Sequence, residues 1–195
     1  MLSKCPANAF LAEEFLEKAL LDPTPLAHQV AAGMFTQQGR HEEAIAEAER
    51  AISLDPNDAD GYIALAGALS LAGQPEEAHQ LVQRAMRLNP HYPASYLYEL
   101  GLAEFGMERF EEAAESLERA SALNPDDRWS SRLLLATYGF LGRKEKAAGL
   151  LETVGNNWHG LDPLTIRGVA FWYPFNEPAD AERLAEGLRR AGAPD

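Results

Sequence analysis

Three copies of a Leu-Asp/Asn-Pro tripeptide divide the first two thirds of the 195-residue chain at nearly equal intervals. Their prolines, Pro56, Pro90 and Pro125, are 34 and 35 residues apart. A period of this length indicates one supersecondary unit used several times, in which each unit buries its apolar face only against its neighbours. The function of such an array is expected on a repeated surface rather than in a catalytic pocket.

Within each interval, apolar residues recur at helical spacing on both sides of a central turn. In the second interval they are Tyr62, Leu65, Ala66 and Leu69, then, after Gly73, Ala78, Val82 and Ala85. Small residues at Ala32, Ala66 and Gly101 take equivalent positions and predict a close crossing of the two helices of each hairpin. The second helices are expected to begin at acidic pairs, which complement the helix dipole: Glu42-Glu43, Glu76-Glu77 and Glu111-Glu112.

This arrangement resembles the tetratricopeptide repeat (TPR), a 34-residue helix-turn-helix unit with small residues and a closing proline at fixed offsets. The resemblance implies an all-α solenoid of about four to five hairpins with a C-terminal capping helix, forming a single domain over residues 1–195. The expected units are a partial leading repeat at 7–23, repeats at 25–58, 59–92 and 94–127, a degenerate repeat at 128–160, and a terminal hairpin and cap at 161–195.

Several loops and the tail carry a narrower resemblance, to the C-terminal TPR region of bacterial class III adenylate/guanylate cyclases and related signalling proteins. It rests on residues 43–51, 55–62, 84–93 and 177–192. Only an interaction or regulatory role is implied by this likeness, because the sequence contains no cyclase catalytic domain. The implied setting is bacterial signalling.

The charge of the chain is unevenly distributed. Residues 1–127 hold 22 acidic and 8 basic side chains, a net charge of −14, whereas residues 128–195 hold 8 acidic and 9 basic ones. Nucleic acid is not expected as a partner, because phosphate binding needs a basic stripe that the repeats lack. The acidity is interpreted as a solvated outer face, and alternatively as a field that steers a basic partner segment.

Residue chemistry argues against an enzyme, a cofactor or a metal site. The five histidines are scattered over different repeats, and none stands at metal-ligand spacing with Cys or a carboxylate. No apolar run approaches the roughly 20 residues of a membrane helix, so no membrane insertion is expected. The single cysteine, Cys5, fits a reducing compartment, and a cytoplasmic location is predicted.

The inner face of the first helices is the predicted binding site. In TPR domains it is formed by repeat positions 2, 5, 9 and 12, and the selected residues, here called the predicted groove, are Gln29, Gly33, Thr36, Asp60, Ile63, Gly67, Ser70, Tyr98, Leu102 and Phe105. TPR domains that clamp a carboxylate resemble one another in placing Lys, Arg and Asn there, and this chain has none of them. An apolar groove for a helix or extended peptide is favoured. Alternatively, Tyr98, Leu102 and Phe105 pack against the adjacent hairpin.

The C-terminal region is rich in aromatic residues, which are Trp158, Phe171, Trp172, Tyr173 and Phe175. It ends in a predicted amphipathic helix over 180–191 with Leu184 and Leu188 on one side. Because a solenoid needs its last apolar face covered, this helix is predicted to be a cap. The alternative is that it reaches another chain.

A non-catalytic module that binds a protein or peptide is therefore the predicted function. A self-association module that forms a homodimer through the aromatic tail is the alternative. A third class, an accessory protein that binds a small ligand, would need a closed polar pocket that the sequence does not indicate.

Overall fold

The structure, a computed structural model, describes Leu21, residues 23–157, Ile166 and residues 173–194. The predicted leading repeat at 7–23 lies almost entirely outside these residues, as do Trp158, Phe171 and Trp172. The described residues contain helices and no strands, which confirms the predicted all-α class. The helices are α1 (Pro25–Gln37), α2 (His41–Leu54), α3 (Ala59–Leu71), α4 (Pro75–Leu88), α5 (Ala94–Gly106), α6 (Phe110–Leu123), α7 (Arg128–Leu141), α8 (Lys144–Asn157) and α9 (Pro178–Ala191).

The first eight helices form four successive hairpins, α1–α2 to α7–α8. In the first two hairpins the turn needs a left-handed residue, which is Gly39 with φ 74° and Gly73 with φ 87°. Glu108 takes the same place in the third turn with φ 60°, a conformation that favours glycine. The fourth turn is one residue shorter because Gly142, with φ 63°, directly caps α7.

Small residues allow the two helices of a hairpin to approach closely. Ala32 and Ala66 are fully buried. A Cβ added at Gly101, on α5, would lie 2.6 Å from Cγ of Leu117 on α6, so a larger residue there would force the helices apart. The position of Gly101 is thus a close crossing, as the sequence predicted.

The last helix, α9, packs mainly on α7, the first helix of the fourth hairpin. The contact is made by backbone: a Cβ added at Gly139 would lie 1.9 Å from the carbonyl oxygen of Gly187. Leu184 and Leu188 flank Gly187 and are fully buried. This helix therefore covers one face of α7 and brings the chain back over the array.

Candidate functional site

The predicted groove is open at one end of the first helices and buried at the other. Asp60, at the N-terminal end of α3, is exposed, and so is Gly33, which lies in the C-terminal half of α1. Toward the C-terminal ends, the corresponding side chains are buried, and these are Thr36, Ser70, Leu102 and Phe105. Gln29, Ile63, Gly67 and Tyr98 are half-buried. The groove thus has an open end and a covered end.

Hydrogen bonds already engage the polar side chains of the open end. The side chain of Gln29 donates to Asp58 over 2.6 Å. The hydroxyl of Tyr96 donates to Asp60, also over 2.6 Å. Two carboxylates, Asp58 and Asp60, therefore lie at the N-terminal end of α3 and give this end of the groove an acidic character.

The covered end lies beside a non-helical piece of the same chain, residues 173–177, here called the C-terminal strap. The strap runs past the turns of the first two hairpins. Cβ of Pro174 lies 3.8 Å from the position of a Cβ on Gly39, and Cγ of Glu177 lies 3.1 Å from the equivalent position on Gly73. Between these contacts, the backbone N–H of Asn176 donates to the carbonyl oxygen of Leu71 over 2.8 Å.

Tyr173 anchors the start of the strap and is only 2% exposed. Its hydroxyl donates to the carbonyl oxygen of Trp129 over 3.0 Å, and Tyr98 packs against the hydrophobic cluster that contains Tyr173. Its ring meets that of Trp129 edge to face at 5.4 Å and stacks on Phe175 at 5.8 Å. The predicted groove residue Tyr98 therefore lies close to the strap.

A polar cluster surrounds this anchor and consists of Tyr98, Glu99, Asp127, Arg132 and Tyr173. Arg132 is 1% exposed, and its guanidinium lies over the Trp129 ring at 5.3 Å. Burial lowers the pKa of Arg132, although the neighbouring tyrosines and Asp127 act in the opposite direction. Burial likewise raises the pKa of Tyr98 and of Tyr173. All of these shifts reflect removal from water.

Glu99 is the most perturbed carboxyl group of this cluster. Burial, reinforced by the negative charge of Asp127, raises its pKa to about 8. Oε2 lies 3.1 Å from the position of a Cβ on Gly67 and has no hydrogen-bond partner among the described residues. Near neutral pH the carboxyl group is therefore mostly protonated.

Phe105 has a packing role between two hairpins. It meets Phe110 edge to face at 5.5 Å and Phe140 at 6.0 Å, while Phe110 and Phe140 stack at 4.3 Å. This aromatic group joins α5, α6 and α7. It agrees with the alternative that the sequence left open for Phe105, whereas Tyr98 lies at the strap.

Sequence reasoning did not select Glu99, Arg132 or the strap as parts of the site. Glu99 had a visible signal, because the equivalent positions of the first two repeats carry the apolar residues Val30 and Ala64. Arg132 directly precedes an apolar run, Leu133 to Leu135, on α7. The strap had no comparable signal, since it lies outside the repeats.

The described part of the chain lacks two features that would indicate other functions. No helix in it is long and apolar enough to cross a membrane. No group of three or more His, Cys, Asp or Glu side chains in it could hold a metal ion.

Family models identify the repeats. Two models, both described as Tetratricopeptide repeat, match residues 35–98 and 94–127. These matches cover the last part of the first hairpin and the whole of the second and third. Together with the fold, they support a TPR protein. No curated protein matches the chain.

Solved TPR structures resemble the chain over most of its length. TTC0263, a TPR protein of Thermus thermophilus, has a TM-score of 0.63 and 24% identity over 78% of this chain and 84% of its own. YrrB, described as a TPR protein with an unusual peptide-binding site, has a TM-score of 0.57 and 20% identity over 90% of both chains. The first TPR domain of human RPAP3 has a TM-score of 0.55 and 24% identity, covering 63% and 96%. At these identities the likeness establishes the fold.

Proposed function

We propose that the chain is a non-catalytic protein-interaction module that holds a peptide or helix in the predicted groove. One observation carries the proposal: a non-helical segment of the chain itself, the C-terminal strap, already lies beside the C-terminal ends of the first helices, where the backbone of Asn176 donates to the carbonyl oxygen of Leu71. A surface that accepts one peptide segment has the shape and hydrogen-bonding groups to accept another. The peptide-binding site in the description of YrrB adds support from a protein of the same fold.

The open end of the groove is the proposed entry point for the partner. Gly33 is exposed, and a Cβ added there would meet nothing within 4 Å. Ile63 on α3 is half-buried, and Asp58 and Asp60 supply negative charge at the N-terminal end of that helix. A partner segment with an apolar residue next to a Lys or Arg fits this combination. A cytoplasmic signalling role is the setting that the resemblance to bacterial cyclase TPR regions suggests.

Photo-crosslinking tests the proposal. A benzophenone amino acid is placed at Ile63, in the groove, or at Gln83, which is exposed on the second helix of the same hairpin. After irradiation with a lysate of the source cells, we expect a discrete crosslinked protein from Ile63 and none of the same mass from Gln83. Equal labelling from both positions, or none from Ile63, would contradict binding in the groove.

Self-association through the aromatic tail is the alternative function. Two aromatic residues of that tail make contacts within their own chain: the ring of Tyr173 meets Trp129 on α7 and stacks on the ring of Phe175. Light scattering at micromolar concentration separates the two functions. A monomer leaves the groove available to other proteins, whereas a stable dimer favours self-association.

A further inference from the structure

We propose that residues 173–191 are an intramolecular occupant of the predicted groove, and that the external partner presents the same chemistry: an aromatic-Pro-aromatic segment followed by an amphipathic helix with a glycine on its inner face. The partner then binds by displacing the chain's own segment. This inference rests on the proposed function, since it names the partner class and the regulation of the same site.

The strap is held by contacts of the kind that hold a bound peptide. Its main chain donates one hydrogen bond to the helices, from Asn176 to the carbonyl oxygen of Leu71 over 2.8 Å, and one within the strap, from Phe175 to the carbonyl oxygen of Tyr173 over 2.8 Å. Pro174 lies near the imidazole of His41, and its backbone partly offsets the lowering of the His41 pKa by burial. Its two aromatic rings stack on each other, and Tyr173 fits against Trp129. Main-chain bonds with anchoring side chains are the usual elements of peptide recognition.

The helix after the strap, α9, is held by close packing against α7. Gly187 lies where a Cβ would come 2.6 Å from the carbonyl oxygen of Ala136, so only glycine permits this approach of α9 to α7. The guanidinium of Arg190 lies 4.9 Å from the centre of the Phe140 ring, and Arg183 forms an ion pair with Glu108 at 3.2 Å. A competing helix needs the same small residue to reach the same depth.

The segment is also placed so that a competitor can reach it. Asn176, Glu177 and Pro178 are exposed, so displacement can start at the junction between the strap and α9. The segment leaves one polar atom next to the predicted groove unsatisfied, because Oε2 of Glu99 has no hydrogen-bond partner among the described residues. A partner with a hydrogen-bond donor at that point gains a bond that the chain's own segment does not make.

The test uses the full chain and a fluorescent synthetic peptide with the sequence of residues 173–191. In the parent the tethered segment competes at an effective concentration near millimolar, so the free peptide binds weakly. Gly187→Ala should loosen α9, and fluorescence anisotropy should then show a dissociation constant at least about tenfold lower than in the parent. Gly149→Ala is the matched control, because a Cβ there meets nothing within 4 Å, and it should bind like the parent. A peptide with Ala at positions 173 and 175 should bind at least about tenfold more weakly to the Gly187→Ala protein.

A folded Gly187→Ala protein that binds the peptide no better than the parent would overturn the inference. If circular dichroism shows that this variant does not fold, Asn176→Pro, which removes the bond to Leu71 without altering a helix, is measured in the same way. Loss of the fold in both variants would make the segment a permanent part of the core and would also overturn the inference. If the peptide fails to bind while Ile63 still crosslinks a partner, the proposed function stands and only the displacement mechanism falls.

Discussion

At the scale of single residues, the pairing of Glu99 with Gly67 explains why a carboxyl group is tolerated inside the array. Gly67 leaves the space that the Glu99 side chain enters, since a Cβ at Gly67 would lie 3.1 Å from Oε2 and 3.2 Å from Oε1. The charged form of Glu99 is disfavoured there by burial and by Asp127. Near neutral pH the carboxyl group of Glu99 is therefore protonated in the folded protein, and it releases this proton when the chain unfolds.

Glu99→Gln should make stability less dependent on pH. The pKa of Glu99 is about 8 in the folded protein, against 4.5 for an unperturbed Glu. Unfolding therefore releases a proton between these values, and the stability of the parent should fall as the pH rises from 5 to 8. Gln, which has no proton to release, should raise the melting temperature at pH 8 and change it little at pH 5. Glu115→Gln, an exposed site on α6, is the control, and an equal effect of both variants would refute this origin.

Glu108→Gly tests backbone strain in the third turn. Glu108 has φ 60° where the other turns have glycine, and a left-handed residue with a side chain costs roughly 1–2 kcal/mol. The ion pair with Arg183 is exposed on the Glu108 side and offsets little of this cost. Glycine should therefore raise the midpoint of chemical denaturation. Glu108→Ala loses the ion pair but keeps the strained backbone, so it should not raise this midpoint. A higher midpoint with alanine would point to the charge of Glu108, rather than backbone strain, as the cause.

At the scale of helices, each crossing depends on the smaller of two facing residues. Gly101 faces Leu117 in the third hairpin, and Gly187 faces Ala136 where α9 meets α7. The first crossing could be predicted, since Gly101 repeats the small residues Ala32 and Ala66 at the same offset. The second crossing could not be predicted, because α9 lies outside the repeats. No equivalent position in another repeat shows which helix Gly187 meets.

Gly101→Ala should destabilise the protein by about 1–3 kcal/mol through overpacking. The added Cβ would lie 2.6 Å from Cγ of Leu117, within one hairpin where neither helix can easily shift. Gly33→Ala is the matched control: it is also in a first helix, its Cβ meets nothing within 4 Å, and it should stabilise the helix by up to about 1 kcal/mol. Urea unfolding measures both. Similar changes in the two variants would show that helix propensity, rather than the crossing, decides.

At the scale of the whole molecule, the strap departs from the usual behaviour of a solenoid, in which each repeat contacts only its neighbours. Pro174 contacts the turn of the first hairpin at Gly39, and Asn176 bonds to Leu71 in the second. The repeats could be predicted because their contacts are local and recur in the sequence. These contacts could not, because they join residues more than a hundred positions apart and occur once.

The parts of the candidate site also differ in how far repeat position could predict them. Repeat position alone assigned Tyr98 to the groove, and the structure brings Tyr98 to the strap. Repeat position could not show that Phe105 is held in an aromatic group with Phe110 and Phe140, because two of these rings come from other helices. Which groove residues bind a partner stays a prediction.

Deletion of residues 177–195 should lower the melting temperature and increase the binding of a hydrophobic dye. The deletion removes Leu184 and Leu188, whose full burial contributes roughly 1.5–3 kcal/mol each, and exposes the face of α7 around Ala136. Ordering the fourteen residues of α9 costs conformational entropy, which offsets part of this stabilisation by burial. The net loss of folding free energy on deletion should therefore be small enough for the hairpins to stay folded and to keep their helical circular dichroism. Arg189→Ala, which removes only exposed ion pairs with Glu182 and Glu186, should change neither measurement. An unchanged melting temperature after the deletion would mean that α9 adds no net stability. Loss of all helical signal would mean that the array cannot fold without α9. A lowered melting temperature with retained helical signal is the result expected for a stabilising segment that a partner can displace.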